Sequence, residues 1–432
     1  MPNASIASSL DPCAERLDNG LTLLWQRLAH VHTVSLLARI RAGRVYESRE
    51  SNGVSHLLEH LHLAVTERHS VRRDLLVALD ALPGEIQAET GPDHLVFALS
   101  VVPTHVEAGA ELLADTLAIR DYPPEIVDAE KRLVVNELAV DEDNLSALER
   151  RLFGAHAFGL PIGGTPASIR RLRPEAIHDF NRRAFAPDRI CVALAGCFTD
   201  ADLDRARTAF GRLRACGDER LSEPQGPTVP LPRLFRKAYR GRFCGVAGAF
   251  VNPPPLNPRE RLALLLVEHG LTRISSPVFE QSRYGAASAY HVFTYTVANA
   301  GTHCLWFHAY TRPRDRDTVL GAILAQIAAL RDEREPPAWL ESARRECVFQ
   351  AERCLDTPAQ VAEWLAASHG RPAGETGLAL AQTVELAKTA PLAELAHAAG
   401  RLLSRDRFFL WFDGRARFLD AARVRSVVDA HL

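Results

Sequence analysis

Apolar positions along this chain switch repeatedly between a period near two and a period near 3.6, which predicts strands alternating with helices. The segment "GLTLLWQRLAHVHTVSLLARIRAG" alternates around a polar break and closes on Ala42-Gly43, so it predicts two adjacent strands. From Gly53 to Ala64, "GVSHLLEHLHLA" is apolar nearly all round and too long for a strand; it predicts a buried helix started at Asn52-Gly53. Amphipathic helices are expected at "RRDLLVALDAL" and "THVEAGAELLADTLA", on either side of a strand at "HLVFALSV". A longer helix is expected from Pro124 to Phe153. Beyond it, "GLPIGGTPASIRRL" is a Gly/Pro loop leading into a helix, and the uninterrupted apolar run "RICVALAGCF" predicts a central strand.

Between Cys216 and Arg233 the composition shifts to "CGDERLSEPQGPTVPLPR", rich in Pro and charge, which marks a linker. After it the order of elements repeats. His269 in "ALLLVEHGL" falls 209 residues after His60, and Phe307 in "CLWFHAYTRP" falls 210 after Phe97. The chain therefore reads as a duplication: two homologous α+β domains at 1–215 and 234–432, joined by 216–233, each a mostly antiparallel sheet covered by helices. The copies differ in their polar residues, since Leu265 stands opposite His56 and Ala351 opposite Glu137.

Composition narrows the function classes. With 432 residues, 47% of them hydrophobic, the chain can bury real cores, which excludes a disordered or small-scaffold protein. Fifty-one Lys and Arg against 53 Asp and Glu leave no basic excess for nucleic acid or a membrane surface. Eight Cys with no C-x-x-C pair are expected to be reduced and mostly buried. Without a signal-peptide pattern or a long apolar run, a cytoplasmic, soluble protein is the expectation.

The candidate chemistry begins on the buried helix. His56 and His60 lie four apart, so they share a face, with about 5–6 Å between Cβ atoms, close enough to hold one metal ion. Glu59 would lie near the metal's open position, placed to accept a proton from a water molecule. Histidines satisfied by backbone or solvent fit the same spacing. A catalytic zinc needs a third protein ligand from another element. On the long helix, Glu130, Val134, Glu137 and Asp141 form one stripe adjoining Leu133 and Leu138, which puts carboxylates along a face that reads as buried. A cation would remove the cost of burying them, although a solvated acidic face has the same pattern. His62 and His69 lie off the His56/His60 stripe and read as core or surface histidines. "IGGTP" lacks the G-K-[ST] ending of a phosphate loop.

Taken together, "LDNGLTLL", "RAGRVYESRESNGVSHLLEHL", "AEKRLVVNELAVDEDN", "GLPIGGTPASIRRL" and "FAPDRICVALAGCF" resemble the pitrilysin and mitochondrial processing peptidase superfamily, the inverzincins, over nearly the whole chain. The resemblance implies one Zn2+ per chain on His56, His60 and Glu137, Glu59 as general base, and Glu130 orienting a ligand. It implies that the edge strand in "GEIQAETG", with Gln87 where the family usually has Asn, receives substrate at Gln87, Ala88, Glu89 and Thr90. In "SSPVFEQSRYGAASAY", Arg283 and Tyr290 match the pair that reaches the substrate carbonyl from the carboxy-terminal half. The chain would form half of a clam-like chamber, as a homodimer or with a related subunit. The expected function is a zinc-dependent endopeptidase acting on short or unfolded peptides. The alternatives are a non-peptidase structural or peptide-binding relative, which should have lost ligands that this chain keeps, and a catalytic subunit requiring a different partner chain.

Overall fold

The apolar run at 190–196 is a strand buried along all seven residues, and it lies inside a six-stranded sheet. The computed structural model describes residues 12–139, 144–214, 219–227, 233–238, 244–273, 276–280, 289–299, 301–331, 336–369, 380–414 and 420–432. In chain order the strands of the first sheet are β1 (Cys13–Arg16), β2 (Thr22–Arg27), β3 (Val34–Ile40), β4 (Gly84–Thr90), β5 (Leu95–Val101) and β6 (Ile190–Gly196). Their spatial order is β1-β2-β6-β3-β5-β4, antiparallel throughout except for β2 with β6. The two opening strands, β2 and β3, are therefore not neighbours. With no polar position, β6 needs cover on both faces and both edges, and it takes the place between them. β4 ends the sheet.

The helices before the 216–233 segment are α1 (Val54–Ala64), α2 (Arg72–Asp80), α3 (Val106–Ala118), α4 (Pro124–Glu137), α5 (Asn144–Phe153), α6 (Pro166–Arg171), α7 (Pro174–Ala184) and α8 (Asp200–Gly211); α7 and α8 add to those read from the sequence, and the rest follow the pattern with one difference. The helix expected over Pro124–Phe153 is two helices. α4 closes where the Leu138 amide donates to the Val134 carbonyl, and the chain is helical again from Asn144. The acidic run Asp141-Glu142-Asp143 lies between, outside the described residues.

Side chains alternate across the first sheet. Leu36, Ala38, Phe97 and Leu99 point into one core with Leu57, Leu58 and Leu61 of α1. Ser35, Leu37 and Arg39 point to the other face. There the helix Pro358–His369 packs on β3, β6 and β2, with Ala362, Leu365 and Ala366 buried. The compact units accordingly interleave in sequence, whereas composition divides the chain linearly at 216–233. The first unit takes in residues 1–142, 154–224 and 353–377, and the second 143–153, 225–352 and 378–432.

In the second unit β7 (Arg233–Ala238), β8 (Cys244–Asn252), β9 (Ala289–Asn299), β10 (Thr302–Thr311) and β11 (Phe408–Gly414) run in the order β7-β11-β8-β10-β9. Only β7 with β11 is parallel. This repeats β2-β6-β3-β5-β4 strand for strand, so the duplication read from the sequence holds in the topology. Phe250, Leu266, Phe307 and Leu410 centre its core. Cys191, Cys244, Cys304 and Cys347 are buried, while Cys13 and Cys197 are exposed. Burial pushes the Cys191 thiol up to about 12. Among the described residues no helix is long and apolar enough to cross a membrane.

The helix Pro358–His369 meets the sheet through small side chains, and Ala362 is wholly buried. An Ala362→Leu chain should lose about 1–3 kcal/mol of unfolding free energy through overpacking, read from a lowered urea midpoint.

Candidate metal centre

The centre is built from the start of α1. There the chain turns through a left-handed conformation at Gly53, φ +91°, where a Cβ would fall 2.8 Å from the Gly163 carbonyl oxygen. The buried carboxylate of Glu47 accepts from the Gly53 amide at 2.7 Å, the Ser55 amide at 2.9 Å and Asn52 Nδ2 at 3.0 Å. It thus satisfies first-turn donors at the positive end of the helix dipole. Burial raises the Glu47 pKa, and these hydrogen bonds oppose the rise. The sequence reading missed Glu47, because a cap reaching from seven residues before the helix has no fixed spacing to search for.

From that start, His56 and His60 project one turn apart, their rings edge to face with centroids 4.9 Å apart. α4 packs against α1 and presents Val127, Glu130 and Val134 inward. One turn further, Glu137 Oε1 lies 3.6 Å from His56 Nε2, and Glu137 Oε2 lies 3.3 Å from His60 Nε2. Glu130 is 1% exposed. Its Oε2 lies 3.4 Å from His60 Nδ1 and its Oε1 2.9 Å from the Arg72 guanidinium on α2. Glu59 turns toward β4 and accepts a hydrogen bond from the Thr90 hydroxyl.

The stripe on α4 differs from expectation in its burial. Glu130 is buried, but the Glu137 side chain is 57% exposed and Leu133 faces solvent. Glu137 stands on the last turn of α4, where little packs over the helix. Asp141 lies outside the described residues.

Desolvation is the main cause of a lowered His56 pKa, while the Glu130 carboxylate beside Nδ1 is the main cause of a raised His60 pKa. A carboxylate on His60 Nδ1 keeps that nitrogen protonated and leaves Nε2 as the free lone pair. The three candidate ligand atoms on His56, His60 and Glu137 lie within 4.8 Å of one another. A tetrahedral Zn2+ with bonds of about 2.0–2.1 Å holds its ligands about 3.3 Å apart, so spacing and donor chemistry both fit zinc. Among the described residues no other group of His, Cys, Asp and Glu converges in this way.

The other sequence candidates divide. Strand alternation splits the β4 quartet. Ala88 packs into the α1-side core and Thr90 bonds Glu59, whereas Gln87 and Glu89 line a cavity on the opposite face. Arg283 lies outside the described residues; Tyr290 falls on β9, its side chain outside them as well. His62 is a core residue, stacked on Phe185 at 4.0 Å between ring centroids, with Nδ1 2.6 Å from the Thr116 carbonyl oxygen; burial pushes its pKa down to about 4. His69 pairs with the Thr66 hydroxyl at 2.9 Å. The "IGGTP" loop buttresses the centre: a Cβ on Gly163 would lie 2.9 Å from His56 Nδ1.

In the second unit, helix Pro258–Thr272 occupies the place of α1, and Glu268 accepts from the Thr296 amide at 2.7 Å and hydroxyl at 2.6 Å. This repeats the contact of Glu59 with Thr90. Leu265 and Ala351 stand where ligands would have to be, so the second copy keeps the geometry without the donors.

Comparison with known proteins agrees with this architecture. Residues 22–165 match the family model described as insulinase (peptidase family M16), and residues 171–347 match the peptidase M16 inactive domain. The chain belongs to peptidase family M16. An uncharacterized zinc protease of Bacillus subtilis is 23% identical over 337 residues, covering 76% of this chain and 80% of that protein. One from Mycobacterium bovis is 30% identical over 300 residues, covering 67% and 68%. Among solved structures, a protease from Helicobacter pylori superposes with a TM-score of 0.81 at 17% identity, over 94% of this chain and 99% of the other.

The Glu47 cap carries a test. Glu47→Gln keeps the size but places an amide donor against amide donors, so stability should fall by about 1–3 kcal/mol, measured by denaturant unfolding.

Proposed function

We propose that this chain is a zinc-dependent endopeptidase acting on short or unfolded peptides, with one zinc per chain on His56, His60 and Glu137. The observation that carries this reading is the convergence of two imidazole Nε2 atoms on the Glu137 carboxylate, with the Glu59 carboxylate beside them. Bound there, zinc supplies a Lewis acid that acidifies water and polarises a carbonyl. Glu59 takes the proton of the attacking water and returns it to the leaving amine, the Thr90 hydroxyl holding its carboxylate in place. Glu130 orients His60. The peptide joins the free edge of β4 at Gln87, Ala88, Glu89 and Thr90, so affinity comes mainly from backbone hydrogen bonds. Arg283 and Tyr290 belong to the duplicated half that lacks ligands. In this reading they act on the substrate carbonyl of a partner chain's centre, the working unit being a dimer that encloses its substrate.

Purified protein should carry one zinc per chain, and His56→Ala should remove it; metal content unaltered by that change overturns the ligand assignment. Glu59→Gln should keep the metal and lose about 10²–10⁴-fold in peptide cleavage, while wild-type rates in that variant would mean another base. Mixing Glu59→Gln chains with Tyr290→Phe chains should restore activity that neither has alone. If proven subunit exchange restores none, the shared site is wrong.

A further inference from the structure

Arg72 opens α2, and its guanidinium lies 2.9 Å from Oε1 of the buried Glu130 carboxylate. The other oxygen, Oε2, lies 3.4 Å from His60 Nδ1, and His60 Nε2 in turn lies 3.3 Å from Glu137 Oε2. One carboxylate thus links α2 to a candidate ligand on α1. Among the described residues it has no other ionic partner.

The local structure of α2 gives no reason for an arginine at this place. The start of a helix carries partial positive charge, so a cation at its first position is disfavoured. α2 is also thinly packed: Leu75 is its one buried residue, and Leu76 and Val77 are half exposed or more. Arg73, the next residue, is exposed and has no partner among the described residues. A residue that breaks a local rule points to a role elsewhere, and Arg72 reaches Glu130.

What Arg72 supplies there is orientation. A carboxylate held at one oxygen turns about its side-chain torsions, whereas a cation fixed at Oε1 holds Oε2 against the imidazole. His56 is oriented by other means, since its ring packs against the Gly163 backbone. We propose that Arg72 is a positioning residue of the metal centre, acting through Glu130 to keep the His60 ring turned with Nε2 toward Glu137. The proposal rests on the reading of His56, His60 and Glu137 as zinc ligands, and it brings α2 into the centre. Its sign separates it from a simple charge effect. A cation beside the centre repels Zn2+, so removing Arg72 as a mere charge would tighten zinc binding. Removing it as an anchor frees Glu130 and His60, and the cost of ordering them then falls on zinc binding and weakens it.

Zinc affinity of the full-length chain is measured by competition with a chromophoric chelator, and coordination geometry is followed by the visible spectrum of the cobalt-substituted protein. Arg72→Met should weaken zinc about tenfold, the lower end of what loss of a group behind a ligand histidine costs, and should alter the cobalt spectrum. Arg72→Lys keeps the charge but not the planar fork, and should lose less. Arg73→Met should leave affinity and spectrum unchanged. In a Glu130→Gln chain, Arg72→Met should change affinity by less than about twofold, because the group it acts through is gone. Cooperative urea unfolding of each metal-free chain checks that the variants fold; should Arg72→Met fail that check, Arg72→Lys carries the same test, with a smaller loss that vanishes in the Glu130→Gln chain. Zinc held as tightly or more tightly after Arg72→Met, an unchanged cobalt spectrum, an equal loss after Arg73→Met, or the same loss with and without Glu130→Gln would overturn the proposal while the centre stands. If the unsubstituted chain binds no zinc, the ligand assignment itself falls, and the proposal with it.

Discussion

The buried carboxylate of Glu130 is the constraint on which the centre depends. It is 1% exposed, with His60 against one oxygen and Arg72 against the other. An uncompensated charge at that depth would be expelled or protonated, so α4 must approach α1 and α2 together in the one arrangement that supplies both partners. That arrangement fixes the rotation of α4 about its axis. Glu137, on the same stripe, is then carried to the two imidazole Nε2 atoms, and His60 is left with its outer nitrogen free. The start of α1 is held in the same manner by Glu47, which draws the Gly53 turn against the Gly163 loop. Buried carboxylates thus position two elements of the site, and the exposed one is left for chemistry.

The two units show how little of the chemistry belongs to the fold. They share strand order, the position of the parallel pair, and a carboxylate on the helix after the second shared strand that bonds a threonine across to the edge strand. Only the first has the donors, because His56 and Glu137 are answered by Leu265 and Ala351 in the second. A sheet and its helices supply places, and the residues put there decide what the places do.

β4 is the element where both faces of the first sheet become relevant at once. Its inward residues reach α1 through Thr90 and Glu59, while its outward residues border the cavity under the helix Pro358–His369. That helix comes from far along the chain, yet it completes the first unit by covering the face of β2, β6 and β3 that is turned away from α1.

Periodicity in the sequence located most elements of the first unit, including the helix that puts His56 and His60 on one face and the strand β6 whose residues are all apolar. Helical spacing also narrowed the third ligand to a stripe of carboxylates on α4, and resemblance to the inverzincins singled out Glu137. Local pattern reports which side of an element is apolar but not what will cover it. The insertion of β6 between β2 and β3, the contrast between buried Glu130 and exposed Glu137, the Glu47 cap and the helix Pro358–His369 on the first sheet were therefore not legible. Each is set by contacts or register between groups apart in sequence, and only the assembled tertiary structure determines those.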